Sequence, residues 1–174
     1  MDIWSKKKRS AVMARIKSKD TKPEKIVRRY LYSKGYRYRK NVKNLPGSPD
    51  IVLRKYGVAI FVHGCFWHGH NIDGHIPLSN SDYWRNKIER NKERDELNKR
   101  KLLNMGWAVI VVWECQLKRS KREQTLREME YYINKSYLER LKIKDSKFHL
   151  LPENKDYINL VAEEEVAYVK KNKK

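Results

Sequence analysis

Three short, nearly uninterrupted apolar segments constrain the fold of this chain more than any other feature. They are DIVLR at 50–54, VAIFV at 58–62 and WAVIVVW at 107–113. Residues 55–57 can turn the chain, so the first two segments predict an antiparallel hairpin. Consecutive apolar positions indicate strands that are covered on both faces. Helical spacing at 21–35, 82–104 and 121–141 gives the order helix, hairpin, helix, strand, helix, which predicts an α/β fold with a mixed central sheet flanked by helices.

The start of the first helix indicates where the main domain begins. Thr21 and Glu24 have the spacing of a capping box, and Pro23 lies in the first turn, where its missing N–H costs little. A cap alone can explain Glu24. We therefore expect a basic N-terminal arm at 1–20, with a short helix within 10–19, a main domain at 21–143, and a C-terminal extension at 144–174 of unassigned role. The extension is expected to be a peripheral helix or a disordered basic tail.

Net charge narrows the class of partner. Lys plus Arg number 41 against 21 for Asp plus Glu, which gives a formal charge of +20. An excess of this size attracts polyanions and favours a nucleic-acid binder over an ordinary basic surface. No apolar run approaches the roughly 20 residues of a membrane span. Two cysteines without an apolar leader segment favour a reduced, cytoplasmic chain and no membrane partner.

Two acidic side chains are expected to face inward. Asp50 follows a proline and opens a buried strand, and its hairpin partner ends at His63, so the two should be neighbours. The alternative is that Asp50 only caps a turn. Asp95 shares a helical stripe with Ile88 and Leu102, and the alternative for it is a salt bridge to Lys or Arg. Two inward acids near histidines are typical of a site for a divalent metal and phosphate oxygens.

The segment HGCFWHGH at 63–70 concentrates possible ligands at the end of the second strand. If the third strand runs beside it, Cys115 leaves the same sheet edge as Cys65, and two thiolates with one or two imidazoles would bind zinc. The alternative is a pair of buried cysteines acting as small apolar side chains. The remaining imidazoles could transfer protons at neutral pH. The histidines concerned are His63, His68 and His70.

Phe66 and Trp67 lie between these polar side chains in a loop. Exposed aromatic rings at such a position are typical of stacking on bases or insertion between base pairs, with core packing as the alternative for either ring.

At this point several motifs, LPGSPD, FVHGCFWHGH, WRNKIERNKERD and LLNMGWAVIVVWEC, resemble in order and spacing the very short patch repair (Vsr) DNA mismatch endonucleases. The resemblance covers about residues 5 to 120. It implies a restriction-endonuclease-like core of the PD-(D/E)xK type. It also implies an enzyme that nicks one strand of double-stranded DNA at T·G mismatches.

The resemblance also implies roles for single residues. Asp50 and the backbone carbonyl of Val62, where the family usually has Thr, would hold a catalytic magnesium ion. His63 and His68 would contact the scissile phosphate, with His68 activating the attacking water. Asp95 would order metal-bound waters or the histidine pair.

Glu24 would lie near the site, which implies a role there in addition to capping the helix. Phe66 and Trp67 would form a wedge beside the mismatch, and Met13 would insert from the other groove.

For a structural zinc ion, the resemblance implies three ligands, Cys65, His70 and Cys115. The family has a cysteine where this chain has Ile72, which cannot bind metal. Either His75 or Asp73 would then supply the fourth ligand, and His75 is favoured.

Together these expectations describe a monomeric magnesium-dependent endonuclease that cuts 5′ to the mismatched thymine, with zinc as a structural ion. The alternatives are a nuclease of the same fold from a restriction or defence system without T·G preference, and a non-catalytic DNA-binding relative. A purely structural zinc protein is disfavoured by the two inward acids.

Overall fold

The computed structural model describes residues 7, 8, 11, 19–74, 76–77, 80–145 and 158–159. Within this part of the chain, three long helices flank one sheet. The helices are α1 (Lys22–Ser33), α2 (Ser81–Asn104) and α3 (Arg122–Asp145), and the strands are β1 (Arg39–Lys40), β2 (Ile51–Leu53), β3 (Val58–His63), β4 (Ala108–Trp113) and β5 (Ile158–Asn159), with a 3-10 helix at Glu114–Leu117.

The sheet has five strands in the order β1-β2-β3-β4-β5. β2 pairs with β1 and with β3 in antiparallel fashion, and β4 is parallel to β3 and to β5. The predicted hairpin at 50–62 and the third strand at 107–113 are confirmed. The mixed sheet with helices confirms the predicted α/β class and agrees with a restriction-endonuclease-like core.

Both faces of the sheet are covered, as the apolar runs predict. Ile60 and its alternate neighbours in β3 pack with Leu31 of α1 and Met129 of α3 in one cluster. Phe61 points to the opposite face, where it packs with Leu102 of α2 in a second cluster. Successive strand side chains alternate between faces, so this arrangement fixes the direction of the last residue of β3. His63 therefore points to the α2 side of the sheet, together with Phe61.

The capping box of α1 is confirmed. The Glu24 N–H donates to Thr21 Oγ1 at 3.4 Å, and Thr21 N–H donates back to Glu24 Oε1 at 3.2 Å. Gly35, with φ +80°, follows the helix, where a left-handed conformation ends it.

The C-terminal part differs from the expected peripheral helix or disordered tail. α3 continues to Asp145, so the boundary placed at 143 falls inside this helix. Ile158–Asn159 add a strand to β4, with Ile110 paired to Ile158. A two-residue strand is built from backbone hydrogen bonds, which leave no apolar period in the sequence. The expected peripheral helix or basic tail did not include this strand.

In the N-terminal arm, residues 7, 8 and 11 are helical, whereas Met13 and most of the predicted helix at 10–19 lie outside the described residues. Among the described residues, the search for a helix that is apolar enough and long enough to cross a membrane found none.

Candidate active site and metal centre

The hairpin places Asp50 beside the end of β3. Its Oδ2 accepts a hydrogen bond from the Val62 N–H at 2.8 Å, so the carboxylate lies next to the position that His63 occupies. Burial raises the pKa of Asp50 to about 6, and the negative charge of Glu24 adds to this shift, while the bond from Val62 opposes it. Asp50 is therefore a carboxylate in need of a positive partner, as the sequence predicted for an acid that opens a buried strand.

His63, His68 and Asp95 form one compact group. The two imidazole rings are stacked, with centroids 3.8 Å apart and an angle of 9° between their planes. His68 Nδ1 lies 2.5 Å from Asp95 Oδ2. The structure thus brings the predicted inward acid of α2 onto the histidine loop, and the salt bridge expected as its alternative is present only as a 3.9 Å contact with Arg94 among the described residues.

The two histidines have different environments. Burial, followed by the charge of His68, lowers the pKa of His63 to about 3, so this ring is neutral at physiological pH. Burial alone would raise the pKa of Asp95, but the hydrogen bond and charge of His68 outweigh it and leave the pKa lowered. Asp95 is therefore ionised and bound to Nδ1, which leaves Nε2 of His68 as the atom available for proton transfer.

Glu24 is close enough to Asp50 to raise its pKa, but its oxygens already serve the start of α1. Oε1 accepts from the Thr21 hydroxyl at 2.7 Å and Oε2 accepts from the Asp20 N–H at 3.1 Å. Arg28 lies 3.5 Å from the same carboxylate. The cap is thus observed, and a catalytic role for Glu24 stays a prediction.

A second cluster forms where the histidine loop meets the end of β4. Cys65, His70, Asp73 and Cys115 each direct one possible ligand atom into it, and these atoms lie within 4.8 Å of one another. Cys115 Sγ is 3.5 Å from His70 Nδ1. The predicted meeting of Cys65 and Cys115 at one sheet edge is therefore confirmed.

The chemistry of this donor set fits a zinc ion. Burial, with the neighbouring Cys65, raises the pKa of Cys115 to about 12, a cost that a bound cation would remove. Two sulfur atoms, one imidazole and one carboxylate make a four-ligand set that zinc accepts. The carboxylate belongs to Asp73, the less favoured of the two sequence candidates; it also lies 3.3 Å from Lys118 Nζ. His75, the favoured one, lies outside the described residues.

Phe66 and Trp67 are half-buried and belong to a group of aromatic rings at the start of α2. Phe66 lies 5.0 Å from Trp67 and 5.1 Å from Trp84, measured between ring centroids. Lys87 Nζ lies over Trp67 at 5.5 Å and over Trp84 at 5.3 Å. Asn91 Nδ2 donates to the Trp67 carbonyl at 2.8 Å, which ties the loop to the helix.

Sequence reasoning assigned Trp84 no role beside the wedge. It also missed Trp113, whose ring contacts both His63 and His70. An apolar ring at the end of a strand reads as core in the sequence, so only the strand register reveals these contacts of Trp113.

Comparison with known proteins agrees with the site. A family model described as "DNA mismatch endonuclease Vsr" matches residues 1–74. The type II nicking enzyme V.NmeAIP of Neisseria meningitidis is 56% identical over 118 residues, which cover 67% of this chain and 84% of that protein. The type II nicking enzyme V.XorIIP of Xanthomonas oryzae is 49% identical over 117 residues, 67% of this chain and 86% of the relative.

The DNA mismatch endonuclease Vsr of Escherichia coli K12 is 39% identical over 118 residues, with 67% of this chain and 76% of that protein covered. These relatives confirm the family that the motifs predicted. The chain belongs to the Vsr family of DNA mismatch endonucleases and is a DNA endonuclease.

Proposed function

We propose that this endonuclease uses magnesium to hydrolyse one phosphodiester bond 5′ to the thymine of a T·G mismatch in double-stranded DNA. The observation that carries the proposal is the convergence of Asp50 and the His63–His68 pair at the end of β3. Asp50 accepts from the Val62 N–H directly before His63, whose ring stacks on His68, and a carboxylate beside two imidazoles can provide a cation ligand and a base for the hydrolysis of a phosphate ester.

Asp50 and the Val62 backbone carbonyl would hold the magnesium ion. Both offer the hard oxygen ligands that magnesium prefers. The fit rests on Asp50, a mostly buried carboxylate whose raised pKa signals a missing positive partner. When bound, magnesium stabilises the negative charge that builds up around the phosphorus during hydrolysis.

His68 takes the proton from the attacking water in this proposal. Asp95 holds the ring through Nδ1, fixes which nitrogen is free, and stabilises the imidazolium that forms. His63 remains neutral beside it and contacts the scissile phosphate as a hydrogen-bonding group.

The group of aromatic rings is proposed to enter the DNA next to the mismatch. Phe66 and Trp67 present ring faces on which a base can stack, and the +20 charge of the chain supplies attraction to the phosphates. Met13 would act from the opposite groove, and a monomer suffices because one chain carries the complete set of residues.

Zinc is proposed as a structural ion that joins the histidine loop to the end of β4. Cys65, His70, Asp73 and Cys115 would hold it, and the role of His75 as an alternative ligand stays a prediction. Because the loop between Cys65 and His70 contains His68 and the aromatic wedge, a closed site there would fix their position.

The test uses end-labelled duplexes that are identical except for a T·G or a T·A pair at one position, with magnesium or with a chelator. The nick is expected only with T·G and magnesium, on the strand that carries the thymine and immediately 5′ to it. Asp50→Asn is expected to bind the duplex and not nick it. Equal nicking by wild type and Asp50→Asn would contradict the assignment.

One alternative is a strand-nicking nuclease of the same fold that needs no mismatch, since two relatives are named only as nicking enzymes. Equal rates on the T·G and T·A duplexes would support it. Tight binding without cleavage under any divalent cation would instead indicate a non-catalytic relative.

A further inference from the structure

Trp113 and His63 occupy equivalent positions at the ends of neighbouring parallel strands. The register pairs His63 of β3 with Trp113 of β4, so both side chains leave the same face of the sheet. The Trp113 N–H donates to Gln116 Oε1 at 2.9 Å, which fixes the backbone just where β4 ends.

The Trp113 indole fills the space between the two clusters of the site. Its edge meets His63, with ring centroids 5.3 Å apart and planes at 78°. Its face lies over His70, with centroids 4.3 Å apart and planes at 22°. One continuous series of ring contacts therefore runs from His70 of the cysteine cluster, through the Trp113 indole, to the stacked pair of His63 and His68.

We propose that Trp113 is a positioning residue for the nicking reaction, which holds His63 against His68 and connects that pair to His70 of the cysteine cluster. The inference rests on the proposed function, because the reaction whose geometry it supports is the one proposed for His68. Trp113 itself contacts neither the DNA nor the reacting atoms in this account.

Trp113 would position His63 through packing contacts. His63 is 7% exposed, and its ring is bounded by Phe61 at 5.8 Å, by Trp113 and by His68. Removal of the indole would open a cavity on one side of His63, and the ring could then turn away from His68. A displacement of about 1 Å in a reacting group can cost about 100-fold in rate.

The indole N–H does not contribute to this support. Nε1 of Trp113 is buried and has no hydrogen-bond partner among the residues that the structure describes. The ring is held by its faces and edges, so phenylalanine can take over the contacts without leaving a polar atom unsatisfied. This predicts rescue by the conservative variant, which a role in hydrogen bonding would not allow.

The test compares Trp113→Leu, Trp113→Phe and the control Trp107→Leu, which removes the same ring type from the other end of β4, where it packs against the same core cluster. Affinity for the T·G duplex is measured without magnesium, and the nicking rate is measured in single turnover with enzyme in excess. Trp113→Leu is expected to nick about 10 to 100-fold more slowly. Its duplex affinity and its zinc content should match wild type, and Trp113→Phe should recover most of the rate.

Several outcomes would overturn the proposal: a wild-type nicking rate for Trp113→Leu, an equal loss for Trp107→Leu, or a loss that appears in DNA affinity and not in rate. Where the leucine variant does not fold, Trp113→Met provides the non-aromatic replacement.

A readout without DNA separates this proposal from the proposed function. In spectra of protein labelled at its histidine side chains, the His63 and His68 signals should move in Trp113→Leu and stay in Trp107→Leu, even if wild type fails to nick T·G DNA. Unchanged signals would overturn the positioning role.

Discussion

The imidazole rings of His63 and His68 lie parallel, 3.8 Å apart between centroids, at the point where β3 ends. Burial, followed by the charge of His68, lowers the pKa of His63 to about 3, so His63 stays neutral beside its partner. Asp95 Oδ2 lies 2.5 Å from His68 Nδ1 and holds that ring in place. In the proposed reaction the stack provides one base, His68, whose ring is held by Asp95.

Replacement of Asp95 by asparagine tests this division of labour. Asp95→Asn keeps a side chain of the same shape but removes the charge that stabilises the protonated His68. We expect the single-turnover nicking rate to fall by about 100-fold or more, with little change in duplex affinity. Glu93→Gln, on an exposed position of the same helix, is the control. A wild-type rate in Asp95→Asn would show that His68 works without its carboxylate.

Asp50→Asn is expected to make the protein more stable while it abolishes nicking. The pKa of Asp50 is about 6 in the folded protein against an ordinary value of 3.8, so the folded state binds this proton more tightly than the unfolded state. The ionised carboxylate at neutral pH therefore reduces stability, by about 2 kcal/mol at about 1.4 kcal/mol per pKa unit with some allowance for relaxation.

Denaturant unfolding at pH 7.5 in chelator should show this gain for Asp50→Asn and none for Glu89→Gln. The difference should shrink at pH 4, where Asp50 is protonated. Equal or lower stability of Asp50→Asn at pH 7.5 would be inconsistent with a buried charge.

The nicking rate should fall as the pH is lowered through about 6, because a proton on Asp50 competes with the cation for the same oxygens. Raising the magnesium concentration should move the midpoint of this loss to lower pH. Rates between pH 5 and 8 at two magnesium concentrations provide the measurement. A midpoint that does not change with the magnesium concentration would show that a group other than Asp50 controls the rate.

Asp73 should contribute to zinc binding. Asp73→Ala removes the only carboxylate of the described cluster, and loss of one oxygen ligand is expected to weaken zinc binding by about 10-fold or more. Zinc content after dialysis against a chelator, together with the midpoint of thermal unfolding, should be lower than in wild type. His75→Ala is the matched comparison. Loss of zinc in His75→Ala, with retention in Asp73→Ala, would restore the preference for histidine that the sequence suggested.

Phe66→Leu should weaken binding to T·G duplexes while the chemistry of bound DNA is retained. Stacking of a base on an aromatic ring contributes about 1 to 3 kcal/mol, which corresponds to about 10 to 100-fold in affinity. Tyr32→Leu removes an exposed ring from α1, and it should leave the affinity unchanged. Fluorescence anisotropy with the labelled duplex measures both variants, and equal affinities would place the DNA elsewhere.

The parts of the site that sequence could predict are those held together by local geometry. A two-strand hairpin joined by a tight turn forces Asp50 and His63 together, and helical spacing is enough to turn Asp95 inward. Apolar runs likewise gave the strands and the covered sheet. The observed Asp50–Val62 hydrogen bond and the His68–Asp95 pair agree with those arguments.

The parts that could not be predicted depend on contacts without a sequence period. Which residue replaces the ligand missing at Ile72 is decided by how the loop turns, and Asp73 joins the described cluster although His75 was the favoured candidate. The two-residue β5 is set by backbone pairing. The contacts of Trp113 exist only in one register of the parallel β3–β4 pair, and the sequence motif that contains this residue does not specify that register.

The register of β3 and β4 also has a consequence for how the protein folds. β3 and β4 are separated along the chain by the whole of α2, and parallel pairs of this kind close large loops and form slowly. The local hairpin already brings Asp50 to the end of β3, whereas the contact of Trp113 with His63 requires the β3–β4 pair. A newly made chain should therefore gain the support of Trp113 only when β4 pairs with β3, after the hairpin has already joined Asp50 to the end of β3.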